Sequence, residues 1–182
     1  MGNSINEKSV LRSEIKQLKA LVEPEKNVEH ARKVFAAVES MEEFKQAKTV
    51  LAFWSLPDEI FTHDFLLKWA VLKRIVLPVV VGDDLELRLF NGEENLVKSS
   101  NFSIFEPSKN DLVEPGEVDF AIIPGVAFDL QGNRLGRGKG FYDKLLPRLN
   151  GIVKVGIGYS FQLVGQVPHT EHDIPVDRVV CM

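Results

Sequence analysis

Four apolar runs constrain what this chain can become: TVLAFW (49–54), RIVLPVVVG (74–82), VDFAIIP (118–124) and GIVKVGIGY (151–159). None shows the polar alternation of a strand wetted on one face, so each is expected to run buried through a sheet. HDFLLKWAVLK (63–73) reads as a helix between the first two runs, with Thr62 placed to cap it, and a further helix is expected to start near Phe141. Buried strands separated by helices imply an α/β protein: a three-layer Rossmann-like fold whose largely parallel sheet carries helices on both faces.

The rest of the chain fits around that frame. Val10, Leu11, Ile15, Leu18 and Val22 recur at helical spacing, and Val28, Ala31, Phe35 and Val38 mark a second amphipathic helix. Residues 1–46 are therefore expected to be helices packed on the α/β core of a single domain spanning 1–182. LELRLF (85–90) alternates as a half-exposed strand does, with Gly82-Asp83-Asp84 to turn the chain into it. Residues 91–117 read as loop with short extended pieces, VPHTEHDIP (167–175) as irregular, and RVVCM (178–182) as a last short strand.

A net charge of −4 argues against a general nucleic-acid or membrane-surface binder, so an anionic partner must be drawn by local charge. No apolar run is long enough to cross a bilayer, and the polar start MGNSINEKS is not a secretory signal. Asn6 stands where a myristoylation signal requires serine or threonine, and without an export signal the sequon Asn101-Phe102-Ser103 carries no weight. The expected location is the cytoplasm. The lone Cys181 excludes an internal disulfide and reads as a small apolar residue ending a strand.

GNRLGRGKGFYDK (132–144) lies after the third apolar run, where a parallel sheet binds its ligands. It is neither of two familiar phosphate motifs: a P-loop needs glycine where Asn133 stands and a hydroxyl where Gly140 stands, and a dinucleotide fingerprint needs glycine in place of Phe141. The underlying physics still applies. Gly136, Gly138 and Gly140 alternate with Arg137 and Lys139, so backbone N–H groups can crowd an anion while cations reach around it. Arg134 adds a planar fork for phosphate oxygens, and Phe141 and Tyr142 can flank a flat ring. Asp143 suits such a site if a magnesium ion bridges it to phosphate. The same composition also suits a flexible, solvated basic loop.

The longer segment IPGVAFDLQGNRLGRGKGFYDKLL (123–146) resembles the signature of the 5-formyltetrahydrofolate cyclo-ligases, also called methenyltetrahydrofolate synthetases. EKSVLRSEI, FWSLPDEI and EHDIPVD resemble the family's N-terminal, substrate and C-terminal acidic segments in the same order, so the likeness covers nearly the whole chain. It implies an ATP-dependent ligase that closes 5-formyltetrahydrofolate to 5,10-methenyltetrahydrofolate with release of ADP and phosphate. The family's scheme moves the γ-phosphoryl group to the formyl oxygen, and N10 then attacks before phosphate departs.

Residue by residue, the resemblance places Lys8 and Arg12 at ATP, on one face of the first helix. It places Arg134, Leu135 and Gly136 there too, continuing through Tyr142, with Arg137 and Lys139 as catalytic cations. Residues 137–141 also meet the folate, together with Trp54, Glu59 at the pterin, and Phe102 as a stacking ring. Asp143 and Asp173 become the Mg2+ ligands. The implied partners are ATP and 5-formyltetrahydrofolate, with or without a polyglutamate tail, bound by a monomer.

Other side chains have plainer readings. Trp69 is expected in the core, Gln162 is polar and suited to lining a site, and Lys144 and Arg148 extend the basic patch towards a glutamate tail. Zinc at His169, His172 and Asp173 competes for the acidic segment, but the ligand spacing is incomplete. Two rivals share the scaffold: a non-catalytic nucleotide-binding relative and a sugar-phosphate enzyme without ATP.

Overall fold

A computed structural model describes residues 2–98, 105–108 and 111–182. Three helices come first, α1 (Gly2–Lys19), α2 (Pro24–Ser40) and α3 (Glu42–Gln46), followed by β1 (Thr49–Leu51), α4 (His63–Ala70), β2 (Arg74–Val81) and β3 (Asp84–Phe90). The polar middle holds three short strands, β4 (Leu96–Lys98), β5 (Phe105–Pro107) and β6 (Leu112–Val113). Then come β7 (Phe120–Pro124), β8 (Ala127–Phe128), β9 (Arg134–Leu135), α5 (Phe141–Leu145), β10 (Val153–Gly158) and β11 (Arg178–Cys181). Seven strands form one sheet in the order β11-β10-β7-β1-β2-β3-β6. The first five run parallel, and β3 and β6 add an antiparallel edge.

Alternate residues of the apolar runs go to opposite faces, which is why the runs lack polar positions. Val50, Ile75, Phe120 and Ile122 pack under α2, α3 and α4. Leu51, Val76, Ala121 and Ile123 pack on the other face against Phe128 and the leucines of α5 and the turn after it. Aromatic pairs fill the first face: Phe35 stacks on Phe65 with ring centroids 4.2 Å apart, and Phe44 stands edge-on to Trp69 at 4.9 Å. Trp69 packs as expected, its indole N–H donating to Glu39 at 2.8 Å. Helix α1 takes a different place, Ile15 packing with Val126, Ala127, Leu135 and Val167 at the carboxyl end of the sheet.

TVLAFW is a shorter strand than expected, and Pro78 accounts for it. Ala52 N–H still donates to the Val76 carbonyl at 2.9 Å, but the next ladder bond would need an N–H from residue 78. Proline has none, so β1 and β2 part beyond Leu51. Thr62 also departs from expectation. It sits at the start of α4 without capping it; its hydroxyl instead donates to the Phe53 carbonyl at 2.7 Å and accepts from Ser55 N–H at 3.0 Å, closing the loop after β1.

Phe128 is fully buried against Gly156 of β10, where a Cβ would overlap its ring. Gly156→Ala is expected to lose about 1–3 kcal/mol, as overpacking does. It should be read as a lower urea midpoint at unchanged slope.

Candidate active site

From β1 the chain builds outward through β2 and β3, then returns to the other side of β1 as β7. That reversal leaves a crevice at the carboxyl ends of β1 and β7, the usual ligand position in such sheets. It holds a cavity of about 620 Å³, walled by Trp54 and Leu56 after β1, Leu77 and Pro78 of β2, and Pro124 to Val126 at the end of β7. The glycine-basic loop and the face of α1 bearing Lys8 and Arg12 close it.

Asp129 shapes the approach to that loop. Its buried carboxylate accepts from the amides of Gln131 and Asn133 at 3.0 Å each, the Asn133 side chain at 2.9 Å and Val167 N–H at 3.0 Å. Desolvation alone would raise its pKa, but these donors outweigh it and hold the carboxyl below its usual range. Gly138 (φ +99°) and Gly140 (φ +71°) occupy the left-handed region, so the loop needs glycine at both for conformation. At Gly136 the reason differs: a Cβ would lie 2.8 Å from the Arg134 guanidinium.

Four α1 residues on one face, Lys8, Arg12, Ile15 and Lys19, all reach inward. Arg12 Nε donates to the Gly136 carbonyl at 2.9 Å, and its guanidinium lies over Gly138. Lys8 Nζ donates to Asp173 Oδ2 at 2.5 Å, which also accepts from Thr170 N–H and Oγ1 at 2.6 and 2.8 Å. Burial pushes the Asp173 pKa up, but these donors leave it lowered overall. Arg134, with 3% of its side chain exposed, donates to Asp143 Oδ1 at 2.8 Å and lies over the Tyr142 ring, whose hydroxyl burial holds un-ionised. Lys139 is exposed and has no ion-pair partner among the described residues.

Asp143 Oδ2 and Asp173 Oδ1 accept no hydrogen bond among the described residues. Among those residues no three acidic, histidine or cysteine side chains cluster as a metal cage. Two carboxylates beside a cationic loop fit a hard cation that takes its other ligands from phosphate and water, which describes magnesium. For zinc, His169 and His172 supply no cage: no cluster of three such side chains forms among the described residues.

Across the cavity mouth, Arg137 Nη2 donates to Asp58 at 2.7 Å and to Glu59 Oε1 at 3.0 Å. Glu59 Oε2 accepts from Leu56 N–H at 2.9 Å, and Lys19 reaches Asp58 at 3.4 Å. Trp54 stacks on His63 with centroids 3.7 Å apart, and burial lowers the imidazole pKa. Trp54, Leu56 and Phe105 also border a second cavity of about 700 Å³, which reaches Lys19, Phe61 and Tyr159.

Every candidate site residue from the sequence lines the first cavity except Phe102, which lies outside the described residues, as does its sequon. The reading of Lys144 and Arg148 is corrected. Lys144 donates to the Asp83 carbonyl at 2.6 Å and Arg148 pairs with Asp84 at 3.5 Å, so both tie the α5 region to the β2–β3 turn and line neither cavity. Gln162 is buried as a strut, its amide donating to the Gly125 and Val126 carbonyls at 2.9 Å each. Asp58, Asp129 and Glu106 were not picked out by sequence. Asp129 lies within the long motif, Asp58 beside Glu59, but Glu106 sits in a polar stretch with no pattern to mark it.

Residues 4–182 match the model of the 5-formyltetrahydrofolate cyclo-ligase family. The chain is 32% identical to the 5-formyltetrahydrofolate cyclo-ligase of Escherichia coli K12 over 91% of its own length and 95% of the relative's. It is 30% identical to that of Haemophilus influenzae, covering 91% and 92%. The solution structure of 5,10-methenyltetrahydrofolate synthetase from Aquifex aeolicus superposes with a TM-score of 0.86 at 36% identity, covering 96% of this chain and 89% of that one. Among the described residues no helix is long and apolar enough to cross a membrane.

Asp129→Ala leaves four donors unanswered and is expected to cost at least about 2 kcal/mol by urea unfolding. The lowered pKa values of Asp129 and Asp173 mean that their stabilisation is present above the unfolded carboxyl pKa and is lost as pH falls through the folded values. Wild-type stability should therefore fall steeply below about pH 4, and less steeply in Asp173→Asn.

Proposed function

Because the chain belongs to the 5-formyltetrahydrofolate cyclo-ligase family, we propose that this one cavity receives both ATP and the folate, with the triphosphate on the glycine loop. The activity is the ATP-dependent conversion of 5-formyltetrahydrofolate to 5,10-methenyltetrahydrofolate, with ADP and phosphate released. One observation carries the assignment of roles. Five cations from two distant segments, Lys8, Arg12, Arg134, Arg137 and Lys139, line the same cavity as Asp143 and Asp173, facing Trp54 and Glu59.

The chemistry asks for such an arrangement. An N-formyl oxygen leaves poorly, so the γ-phosphoryl group moves to it: the bond from phosphorus to the formyl oxygen forms as that to ADP breaks. N10 then attacks the formyl carbon, loses its proton, and phosphate departs with the former formyl oxygen. Charge spreads over the phosphoryl oxygens throughout, and preorganised cations stabilise it. Arg12 and Lys8 steady the triphosphate from α1, while Lys139 meets the moving phosphoryl group. Arg137 passes from Asp58 and Glu59 to phosphate oxygens, freeing Glu59 to face the pterin beside Trp54. Arg134 holds Asp143 in place.

Mg2+ held by Asp143 and Asp173 would neutralise phosphate charge and orient the triphosphate. The aminobenzoyl-glutamate end of the folate extends past Trp54 and Phe105 into the second cavity, towards Lys19. All these side chains come from one copy of the chain, so a monomer suffices.

Purified protein given 5-formyltetrahydrofolate and magnesium-ATP is expected to form the methenyl product, followed by its near-ultraviolet absorbance; no product would refute the reading. Lys139→Ala should lower kcat by at least ~10²-fold, the loss typical of a removed transition-state contact. Asp143→Asn keeps an acceptor for Arg134 while removing a charge. Its half-saturating magnesium concentration should rise at least ~10-fold, since hard cations depend on ligand charge.

A further inference from the structure

Glu59 reaches the cavity mouth from the loop between β1 and α4. Ser55 and Thr62 close the ends of that loop, each main-chain N–H donating to the other's hydroxyl, at 3.0 and 3.1 Å. Its tip closes on itself as well: Glu59 N–H donates to the Leu56 carbonyl at 2.9 Å, and Leu56 N–H returns to Glu59 Oε2 at 2.9 Å. These bonds fold the loop without setting where it lies over the cavity. Its placement comes from outside. Asn27, near the start of α2, donates from Nδ2 to the Glu59 carbonyl at 3.0 Å and accepts from Phe61 N–H at 3.1 Å through Oδ1. Tyr159, just after β10, donates its hydroxyl to the same Glu59 carbonyl at 3.2 Å. Among the described residues these are the only hydrogen bonds that tie the main chain of 56–61 to another element. One carboxamide thus spans residues 59 and 61 as a main-chain peptide group would, a donor to the one and an acceptor to the other.

We infer that Asn27, backed by Tyr159, is a positioning residue for the cyclisation, setting where the Glu59 carboxylate stands to receive the folate. This rests on the reading that Glu59 faces the pterin. The other ties at the loop tip are ion pairs, of Asp58 and Glu59 with Arg137 and of Asp58 with Lys19. On the same reading Arg137 leaves for phosphate oxygens during the reaction, so its pairs cannot hold Glu59 when the carboxylate is needed. Asn27 and Tyr159 remain. A binding group has to be held to within about 0.5 Å by its supporting hydrogen bonds, and these two residues supply them from elements packed in the core. The Tyr159 hydroxyl is a dependable donor, because burial pushes its pKa up to about 12. Neither residue lines the main cavity, but both border the second one, so action through Glu59 has to be separated from direct contact with the rest of the folate.

The test combines steady-state kinetics on 5-formyltetrahydrofolate and magnesium-ATP with the Kd of a non-hydrolysable ATP analogue, read by calorimetry. Asn27→Asp is nearly isosteric: it keeps an acceptor for Phe61 N–H but sets a second oxygen against the Glu59 carbonyl where a donor stood. The KM for the folate should rise about 10-fold or more, the scale of a lost donor with an acceptor left opposed. Its kcat should fall less than about threefold, as for a contact made equally before and during the reaction. Tyr159→Phe removes one neutral hydrogen bond and should raise the same KM about two- to tenfold. The ATP analogue should bind both variants within about twofold of wild type, as expected of independent sites. In a Glu59→Gln background, Asn27→Asp should add less than about twofold to the folate KM, because both changes act on one contact. If Asn27→Asp does not fold, Tyr159→Phe in that background carries the same comparison. Losses that multiply in the Glu59→Gln background, equal weakening of the ATP analogue, or an unchanged folate KM in both variants would each overturn the inference. A wild-type protein that forms no methenyl product would instead defeat the functional reading beneath it.

Discussion

The cavity depends on a carboxylate held by amides rather than by a cation. Asp129 gathers the turn at 129–133 and pins it to Val167, which stacks with Ala127 and Leu135 against Ile15 of α1. The glycine loop leaves from that knot, so its position over the sheet is set before any ligand contact. A charged acceptor with several donors is strong for its size because each bond is made in a poorly solvated place. The same knot explains why α1 sits at the carboxyl end of the sheet rather than on a face. Arg12 reaches the loop, and Lys8 reaches Asp173 beside it, because Ile15 further along the same face of α1 is anchored beneath them.

Most of the cavity's charges answer one another: Lys8 with Asp173, Arg134 with Asp143, Arg137 with Asp58 and Glu59. On the proposed reading a triphosphate competes with these pairs, and they differ in how readily they yield. Arg134 is almost wholly enclosed, so separating it from Asp143 would strand a buried charge. Arg137 and Asp58 are each about half exposed, at 48% and 47%, where an ion pair is worth little in water. The fixed pair is suited to shaping the site and the loose one to moving during the reaction.

Much of this was legible in the residues. The apolar runs mark the buried strands because both faces of a parallel sheet are covered, and the dense alternation of glycine and base marks the loop. What was lost was tertiary. Lys144 and Arg148 looked like an extension of the basic patch, but a five-residue helix carries too little periodicity to say which way they face. They face the β2–β3 turn. Arg137 and Asp58 lie 79 positions apart, and nothing local announces their pairing. Glu106 comes from a stretch whose polarity reads as loop, and only the short β4–β5 ribbon brings it under the sheet's edge. Thr62 was placed correctly and given the wrong partner, since a hydroxyl at a helix start serves equally well to close the preceding loop.

Pro78 parts β1 from β2 by its covalent structure, with no ligand needed to hold them open. A pocket made by prising strands apart must sever main-chain bonds whenever something enters, and it tends to reseal when empty. Here the missing N–H removes the bond that resealing would form at that point, so a ligand entering there severs no main-chain bond of the sheet and affinity is not drained by unzipping the scaffold.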